Sequence, residues 1–381
     1  MSLNDTRDGR KHRTGGWGGR RLLIGAPVFA AALALTACSG GGSSSTATGA
    51  GAAQASASDS ASASGQAGAA STGGGQASGS GQVKIFVVGG ESSDPFWSQV
   101  KLGAQAAGAG FASQGASVTW LGPQNYNNLG PDAAQLLRTA LSESPSAIVG
   151  PDWVPTAEDP AFKAITAAHV PLIVYNAGGA SEATKAGALA YVGSDDYTAG
   201  VGGGKAFGGL GLKHVLCVNT LPGQSESEAR CSGVKSGLAS SDGGKVTELE
   251  LSASDFGNPT AVAQGIKAAL LKDSSIDAVI TIGVSDADSA YSALQQANLT
   301  GKVKLGTFDV DSTQLQRIKA GEQLFAIDQQ GYLQGYYAVT ELFTYVKWGM
   351  LLPSTNILTG PLVITASNVG LAIAGAAAGV R

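Results

Sequence analysis

The sequence predicts an α/β fold in two similar lobes, each a parallel sheet with helices on both faces. Three observations carry this expectation. From Val83 onward, short apolar runs alternate with segments of helical spacing, the pattern of a parallel sheet with crossover helices. The runs are continuous, as in Ile85-Phe86-Val87-Val88, which marks strands buried on both faces. There are also more such runs than one sheet comfortably holds, and the series restarts near Asp195, with a second set opening at His214–Asn219.

The opening strand, Val83–Val88, is ended by Gly89 and Gly90, and a polar loop leads to Asp94-Pro95-Phe96-Trp97. Asp suits an N-cap because its carboxylate accepts from the free N–H groups of the first turn, and Pro at the first helical position loses no hydrogen bond. The helix that follows is Phe96–Ala112. Further strands are expected at Ser117–Leu121, Ala147–Gly150, Pro171–Tyr175 and Ala190–Val192, then at His214–Asn219, Val246–Leu251, Ala278–Ile282, Val303–Phe308, Leu324–Ile327 and Leu362–Ile364. Helical spacing marks Asp132–Leu141, Ala157–Ala168, Glu226–Leu238, Pro259–Leu271, Asp286–Ala297 and Tyr332–Lys347. The last helix and strand return across the break, so the lobes are 83–194 with 330–358 and 195–329 with 359–369. The Gly/Ala-rich tail 370–381 reads as either a short surface helix or an irregular end.

The segment before the lobes is of another kind. Met1 to Arg21 is polar and basic, and an apolar run from Leu22 to Leu35 is interrupted by Pro27. That run is too short to span a bilayer, which needs about 20 residues, and the combination reads as an export signal over residues 1–37. Leu35-Thr36-Ala37-Cys38 resembles a bacterial lipobox, which implies that Cys38 is lipidated and becomes the new N-terminus. Arg20-Arg21-Leu22-Leu23 leaves the route open between general secretory and twin-arginine export. Residues 38–82 are almost all Ser, Gly, Ala, Thr and Gln behind that cysteine; such a composition buries too little apolar surface to offset its ordering entropy and reads as a flexible tether. Lipid and tether place the lobes outside the cytoplasm, on the outer face of the membrane.

Composition narrows the partners. The chain has 381 residues, 43% hydrophobic and 14% charged, with a formal net charge of −4, which argues against a nucleic-acid partner. Of the 3 cysteines, Cys217 and Cys231 remain once Cys38 carries lipid. Cys217 lies in a strand and Cys231 near the start of the next helix, which pack together. In an oxidising compartment the two form either a disulfide or a pair of buried thiols. No CxxC, HExxH or Cys/His cluster indicates a metal, and no cofactor is expected. No G-x-S-x-G elbow appears, and Gly202-Gly203-Gly204-Lys205 lacks the first Gly and following Ser/Thr of a phosphate-binding loop. His169 and His214 are the only histidines of the lobes. The chain reads as a binding protein, not an enzyme.

The order of motifs carries a family resemblance. Asp94-Pro95-Phe96-Trp97 with Lys101, Gly103 and Ala104, then Gly306-Thr307-Phe308-Asp309, then Ile327-Asp328-Gln329-Gln330 with Gly335, and last Gly360-Pro361-Leu362, together resemble the ribose-type sugar-binding proteins of ABC importers. That family has the type I periplasmic-binding fold. The resemblance covers about Val83 to Asn368. It implies two Rossmann-like lobes joined by three hinge crossovers, here near Ser194–Asp195, Asp328–Gln330 and Thr359–Pro361. It also implies a monomer that traps a sugar or polyol in the cleft and a permease that receives it.

The site follows residue by residue. Phe96 and Trp97 match the aromatic pair that sandwiches the sugar ring, and Phe256 matches an aromatic from the second lobe. Asp94, Asn176, Asp309 and Gln329 match ligands of sugar hydroxyls. Trp153, just after the Ala147–Gly150 strand, is placed to cover the ligand. The family's arginine after the Asn176 position is Ala177 here, a second falls by alignment at Glu228, and an asparagine falls near Gly283. On this alignment Arg230 caps or packs locally and the pocket holds three carboxylates, Asp94, Glu228 and Asp309. The ligand is then a polyol or a sugar other than ribose, or a cation-bearing compound such as an amino sugar. A sensory binding protein that docks on a chemoreceptor or sensor kinase would have the same lobes.

Overall fold

The computed structural model describes residues 81–241 and 243–381. The export signal, Cys38 and nearly all of the tether lie outside the described residues. Strands β1 (Val83–Val88), β2 (Ala116–Leu121), β3 (Ala147–Gly150), β4 (Leu172–Tyr175) and β5 (Ala190–Ser194) alternate with helices α1 (Pro95–Gly110), α2 (Leu129–Ser142), α3 (Pro155–Ala167) and α4 (Gly179–Ala186). A second series follows: α5 (Asp196–Gly208), β6 (His214–Asn219), α6 (Ser225–Ala239), β7 (Lys245–Glu250), α7 (Pro259–Lys272), β8 (Ala278–Thr281), α8 (Val284–Gln296), β9 (Lys304–Phe308), α9 (Ser312–Ala320) and β10 (Phe325–Asp328). The chain ends with α10 (Gly331–Trp348), β11 (Asn356–Gly360), β12 (Leu362–Thr365) and α11 (Gly370–Ala377).

Two six-stranded sheets result, in the orders β11-β5-β4-β3-β1-β2 and β12-β10-β9-β8-β6-β7. Every pairing is parallel except β10 with β12. In both sheets the strand order reverses direction at the first strand of the series, β1 or β6, and ligands of open α/β sheets bind beyond the carboxyl ends of strands at such a point. The chain passes between sheets three times: from β5 into α5, from β10 into α10, and from β11 into β12.

Alternation within each strand distributes the core. Ile85 and Val87 pack with α1 and α10, while Phe86 and Val88 pack with α2 and α3. In the second sheet Leu216 and Val218 face α7 and α8, whereas Val215 and Cys217 face α5 and α6. This register puts Cys217 under Cys231 of α6, and the two form a disulfide with Cα atoms 5.8 Å apart.

Helices α4, α5 and α9 and strand β11 fall outside the expected spans, and the tail takes the helical one of its two expected forms. Helix α5 carries the glycine run Gly202-Gly203-Gly204, a poor helix sequence by propensity. Its glycines let it cross α6 at backbone contact: a Cβ on Gly200 would lie 2.2 Å from the Arg230 carbonyl oxygen, and one on Gly233 would lie 2.2 Å from that of Tyr197. Strand β11 was not expected, because it is a half-polar edge strand one residue away from β12. The tail forms a helix, α11, whose Ala372 joins the small core beneath α9. Among the described residues no helix is long and apolar enough to cross a membrane.

Candidate functional site

The cleft between the sheets is lined from both sides. Asp94 caps α1: its Oδ1 accepts from the backbone N–H of Phe96 at 2.9 Å and of Trp97 at 3.2 Å, and its Oδ2 accepts from the Tyr126 hydroxyl at 3.2 Å. Burial raises its pKa, although those donors pull the other way. The cap turns Phe96 and Trp97 into the cleft, where both line the cavity. The Trp97 ring is held by Phe96, Trp153 and Tyr175, with centroids 5.3, 5.4 and 5.9 Å away in edge-to-face arrangements. This cluster belongs to the first lobe, so Trp97 and Trp153 form a rigid wall. Phe256 comes from the second lobe and meets Tyr126 of the first edge-to-face at 4.8 Å.

Asn176 and Asp309 occupy equivalent places, one residue past β4 and one past β9. Both adopt left-handed backbone, with φ of 62° and 66°, a conformation that Asn and Asp tolerate better than most side chains. The Asn176 amide donates to Gln334 Oε1 at 3.3 Å, and Asp309 Oδ1 accepts from Gln329 Nε2 at 2.6 Å. Burial pushes Asp309 up to about 7, against the pull of Arg230 and of the Gln329 bond.

The expectation for Glu228 is overturned. Its Oε1 accepts from the Gly223 N–H at 2.8 Å and from Asn219 Nδ2 at 3.2 Å, away from the cavity. The cavity is instead lined by Glu226 and Arg230. Helix α6 begins at Ser225, and residues four apart share a helix face while residues two apart do not. Arg230 therefore does not merely cap or pack locally: it brings a guanidinium to the cavity lining, where Ala177 and Glu228 bring none. Its Nε donates to Asp196 at 2.9 Å and its Nη1 to the Ile282 carbonyl at 2.8 Å, and it stacks over Phe308 at 4.9 Å.

Tyr126, Gln224, Ser227 and Asp286 also line the cavity; no local motif announced them. Asp286 Oδ2 accepts from the Thr220 hydroxyl at 2.6 Å, and burial pushes it up to about 7. Burial likewise pushes Glu226 up to about 8, with Arg230 opposing. Gly283 lines the cavity without a side chain, and Ala177 is wholly buried in the core. Several cavity-lining polar atoms have no hydrogen-bond partner within the protein: Gln224 Oε1, Glu226 Oε2, Ser227 Oγ and Gln329 Oε1. Buried groups of this kind are costly unless paired. The cleft thus offers aromatic faces beside oriented donors and acceptors, the chemistry that recognises a polyhydroxylated ring.

Comparison with known proteins bears on the family and the fold. Residues 85–349 match the family model of the periplasmic binding protein domain. The xylose/arabinose-binding protein of Sulfolobus acidocaldarius is 24% identical over 302 residues, covering 75% of this chain and 72% of that protein. A carbohydrate transporter from Acidothermus cellulolyticus, solved with myo-inositol, is 31% identical with a TM-score of 0.71, covering 79% of this chain and 100% of that one. An ABC transporter solute-binding protein from Agrobacterium vitis, bound to α-D-tagatopyranose, is 25% identical with a TM-score of 0.64, covering 76% and 96%. On the matched residues, the paired sheets and the cleft between them, the chain belongs to the periplasmic binding protein family.

Proposed function

We propose that this protein is an extracytoplasmic solute-binding protein that captures a neutral sugar or related polyol between its lobes and delivers it to an ABC permease. The observation that carries this reading is the meeting, in one cleft, of aromatic walls with buried polar atoms that lack partners in the protein. An aromatic face covers the C–H face of a sugar and removes apolar area from water at roughly 25 cal/mol per Å². The unpaired amide, hydroxyl and carboxyl oxygens supply the hydroxyl contacts, and a site built this way rejects analogues lacking those hydroxyls.

Charge favours a neutral ligand over a cationic one. Asp286 and Asp309 are pushed to about 7 and Glu226 to about 8. At neutral pH these carboxyls are partly protonated, so they donate as well as accept, and Arg230 balances part of the remaining charge. The similar proteins solved with myo-inositol and tagatopyranose hold neutral polyols, and these classes head the list to test.

The lobes, 83–194 with 330–360 and 195–329 with 361–369 once β11 is counted with the sheet it completes, act as the moving bodies and the three crossovers as the hinge. Ligand favours the closed form because only that form contacts it from both sides. The chain acts as a monomer, held to the outer face of the membrane by lipid on Cys38 and the tether behind it. The motif Leu35-Thr36-Ala37-Cys38 supports the anchor.

The test is a thermal-shift and calorimetric screen against pentoses, hexoses, inositols and amino sugars. Ligand at about 100 times its dissociation constant stabilises by about 2.7 kcal/mol. A saturable hit among neutral sugars or inositols is expected. Binding of cationic compounds only, or silence across the panel, would overturn the assignment.

A further inference from the structure

A second cluster of acidic groups lies behind the sugar cleft, in the first lobe. Asp152 follows β3, Asp159 lies on α3 and Glu182 on α4, and carboxylate oxygens of the three lie within 4.8 Å of one another. Asp152 is the anomaly: it is 0% exposed and neither of its carboxylate oxygens has a hydrogen-bond partner. Oδ1 of Asp159 is buried and unpartnered as well. The nearby ammonium groups sit on the solvent side. Lys185 pairs with Glu182 at 2.6 Å and Lys163 with Asp159 at 3.8 Å, and both lysines are more than half exposed. A buried carboxylate without donors is costly, and proteins meet that cost with a counter-ion, a metal or a proton.

We propose that Asp152, Asp159 and Glu182 form a binding site for a hard divalent cation, of which Ca²⁺ is the best match. All the donors are oxygens, which selects Ca²⁺ or Mg²⁺ over the softer transition metals. Oxygens up to 4.8 Å apart need only a small contraction to meet an ion with the roughly 2.3–2.6 Å bonds and loose geometry of Ca²⁺, while Mg²⁺ demands about 2.0–2.1 Å and octahedral regularity, a closer set. The burial and crowding of like charge that push Asp152 up to about 7 describe the cluster without a cation, and a bound ion relieves both.

The site would brace the ligand cleft from behind. The Asp152 carbonyl accepts from the Ser225 hydroxyl and the Trp153 carbonyl from the Ser225 N–H, both at 2.9 Å. Ser225 opens α6 in the second lobe, and Trp153 is part of the aromatic wall. A cation on Asp152 therefore fixes the loop at which the two lobes touch. Trp153, adjacent in sequence, also provides an antenna for a luminescent lanthanide.

The experiment uses the purified protein after chelation, with Ca²⁺ titrated calorimetrically, Tb³⁺ luminescence excited through tryptophan, and melting followed with and without Ca²⁺. Saturable binding is expected, with a rise in melting temperature of about 5 °C at 100-fold excess over the dissociation constant. D152N is expected to abolish the rise and the Tb³⁺ signal, and to melt higher than the unsubstituted protein in chelator, because it removes the uncompensated charge. E182Q, at a more exposed position, is expected to weaken Ca²⁺ at least tenfold and guards against loss of folding in D152N. No Ca²⁺ binding at millimolar concentration would overturn the proposal and leave a proton as the occupant of Asp152. A rise that survives in both D152N and E182Q would overturn it too, by putting the ion elsewhere. None of the three readouts depends on the identity of the sugar.

Discussion

The Arg230 guanidinium donates from Nε to Asp196 at 2.9 Å, a link between α6 and the first turn of α5 that is buried on both sides. Asp196 follows directly on the first crossover between sheets, so the guanidinium that lines the cleft is anchored where the chain passes from one sheet to the other. Removing one partner of a buried pair leaves an uncompensated charge and costs about 3–5 kcal/mol. Arg230→Ala should destabilise by that order, seen as a lower denaturation midpoint, and should also abolish ligand binding. Arg230→Lys keeps the charge but loses the fork that serves Asp196 and Ile282 together, and an intermediate loss is expected.

The two acids of α6 separate function from scaffold. Glu226 lines the cavity, while Glu228 is taken up by Gly223 and Asn219. Glu226→Gln should change sugar affinity tenfold or more, about 1.4 kcal/mol. Glu228→Gln should leave affinity within about twofold. Calorimetry on both variants, with the ligand found in the screen, checks the contrast.

Acidification should stabilise the ligand-free protein through Asp286. Burial raises its folded pKa to about 7, above an unfolded value of about 3.9, so the folded state binds the proton more tightly. That stabilisation is complete below the unfolded pKa and is lost as pH rises towards 7. Between pH 7 and pH 5 the group should contribute about 2 kcal/mol in favour of the acid side. Melting curves of the native chain and of Asp286→Asn at the two pH values should differ by that amount; parallel behaviour would show that Asp286 does not titrate there.

The disulfide closes a loop of sequence separation 14 between β6 and α6. Loops of this length give about 3 kcal/mol in the chain-entropy picture. The double variant Cys217→Ala with Cys231→Ala should lose about 2–4 kcal/mol by chemical denaturation. Both sulfurs are buried, so the folded protein should resist reductant that readily attacks it in denaturant.

The crossing of α5 and α6 leaves no room at Gly233, where a Cβ would lie 2.2 Å from the Tyr197 carbonyl oxygen. Gly233→Leu should force the helices apart, destabilise by several kcal/mol as other overpacked contacts do, and move Arg230 off its partners. A lower melting temperature together with loss of sugar binding is expected.

Much of this molecule can be read from its residues, and the rest fails for identifiable reasons. The unbroken run at β1, the capping acid and Pro95 are local signals, so the turn that presents Phe96 and Trp97 is legible. Asn176 and Asp309 are legible because each ends an apolar run. Helix α5 is hidden because its glycines lower helix propensity, and only contact with α6 makes them favourable. Strand β11 is hidden because an edge strand need not be apolar. The exchange of Glu228 for Glu226 turns on where α6 starts: a small shift in register rotates the whole helix, and the start depends on the loop before it. Tyr126 and Asp286 reach the cleft from elements remote in sequence from the other cleft-lining groups, and no spacing records that.

The last two strands lie side by side in the chain yet complete different sheets, Asn356–Gly360 pairing with β5 and Leu362–Thr365 with β10. During synthesis both sheets wait for this one stretch. Until it emerges, β5 and β10 each present an unpaired edge, the feature that invites wrong strand partners. Neither lobe can be finished ahead of the other, and a chain stopped before Asn356 leaves two open sheets in place of one sound lobe. Maturation of both lobes is thereby tied to a single late event, and a nascent chain stalled just short of it should be the species most in need of a chaperone.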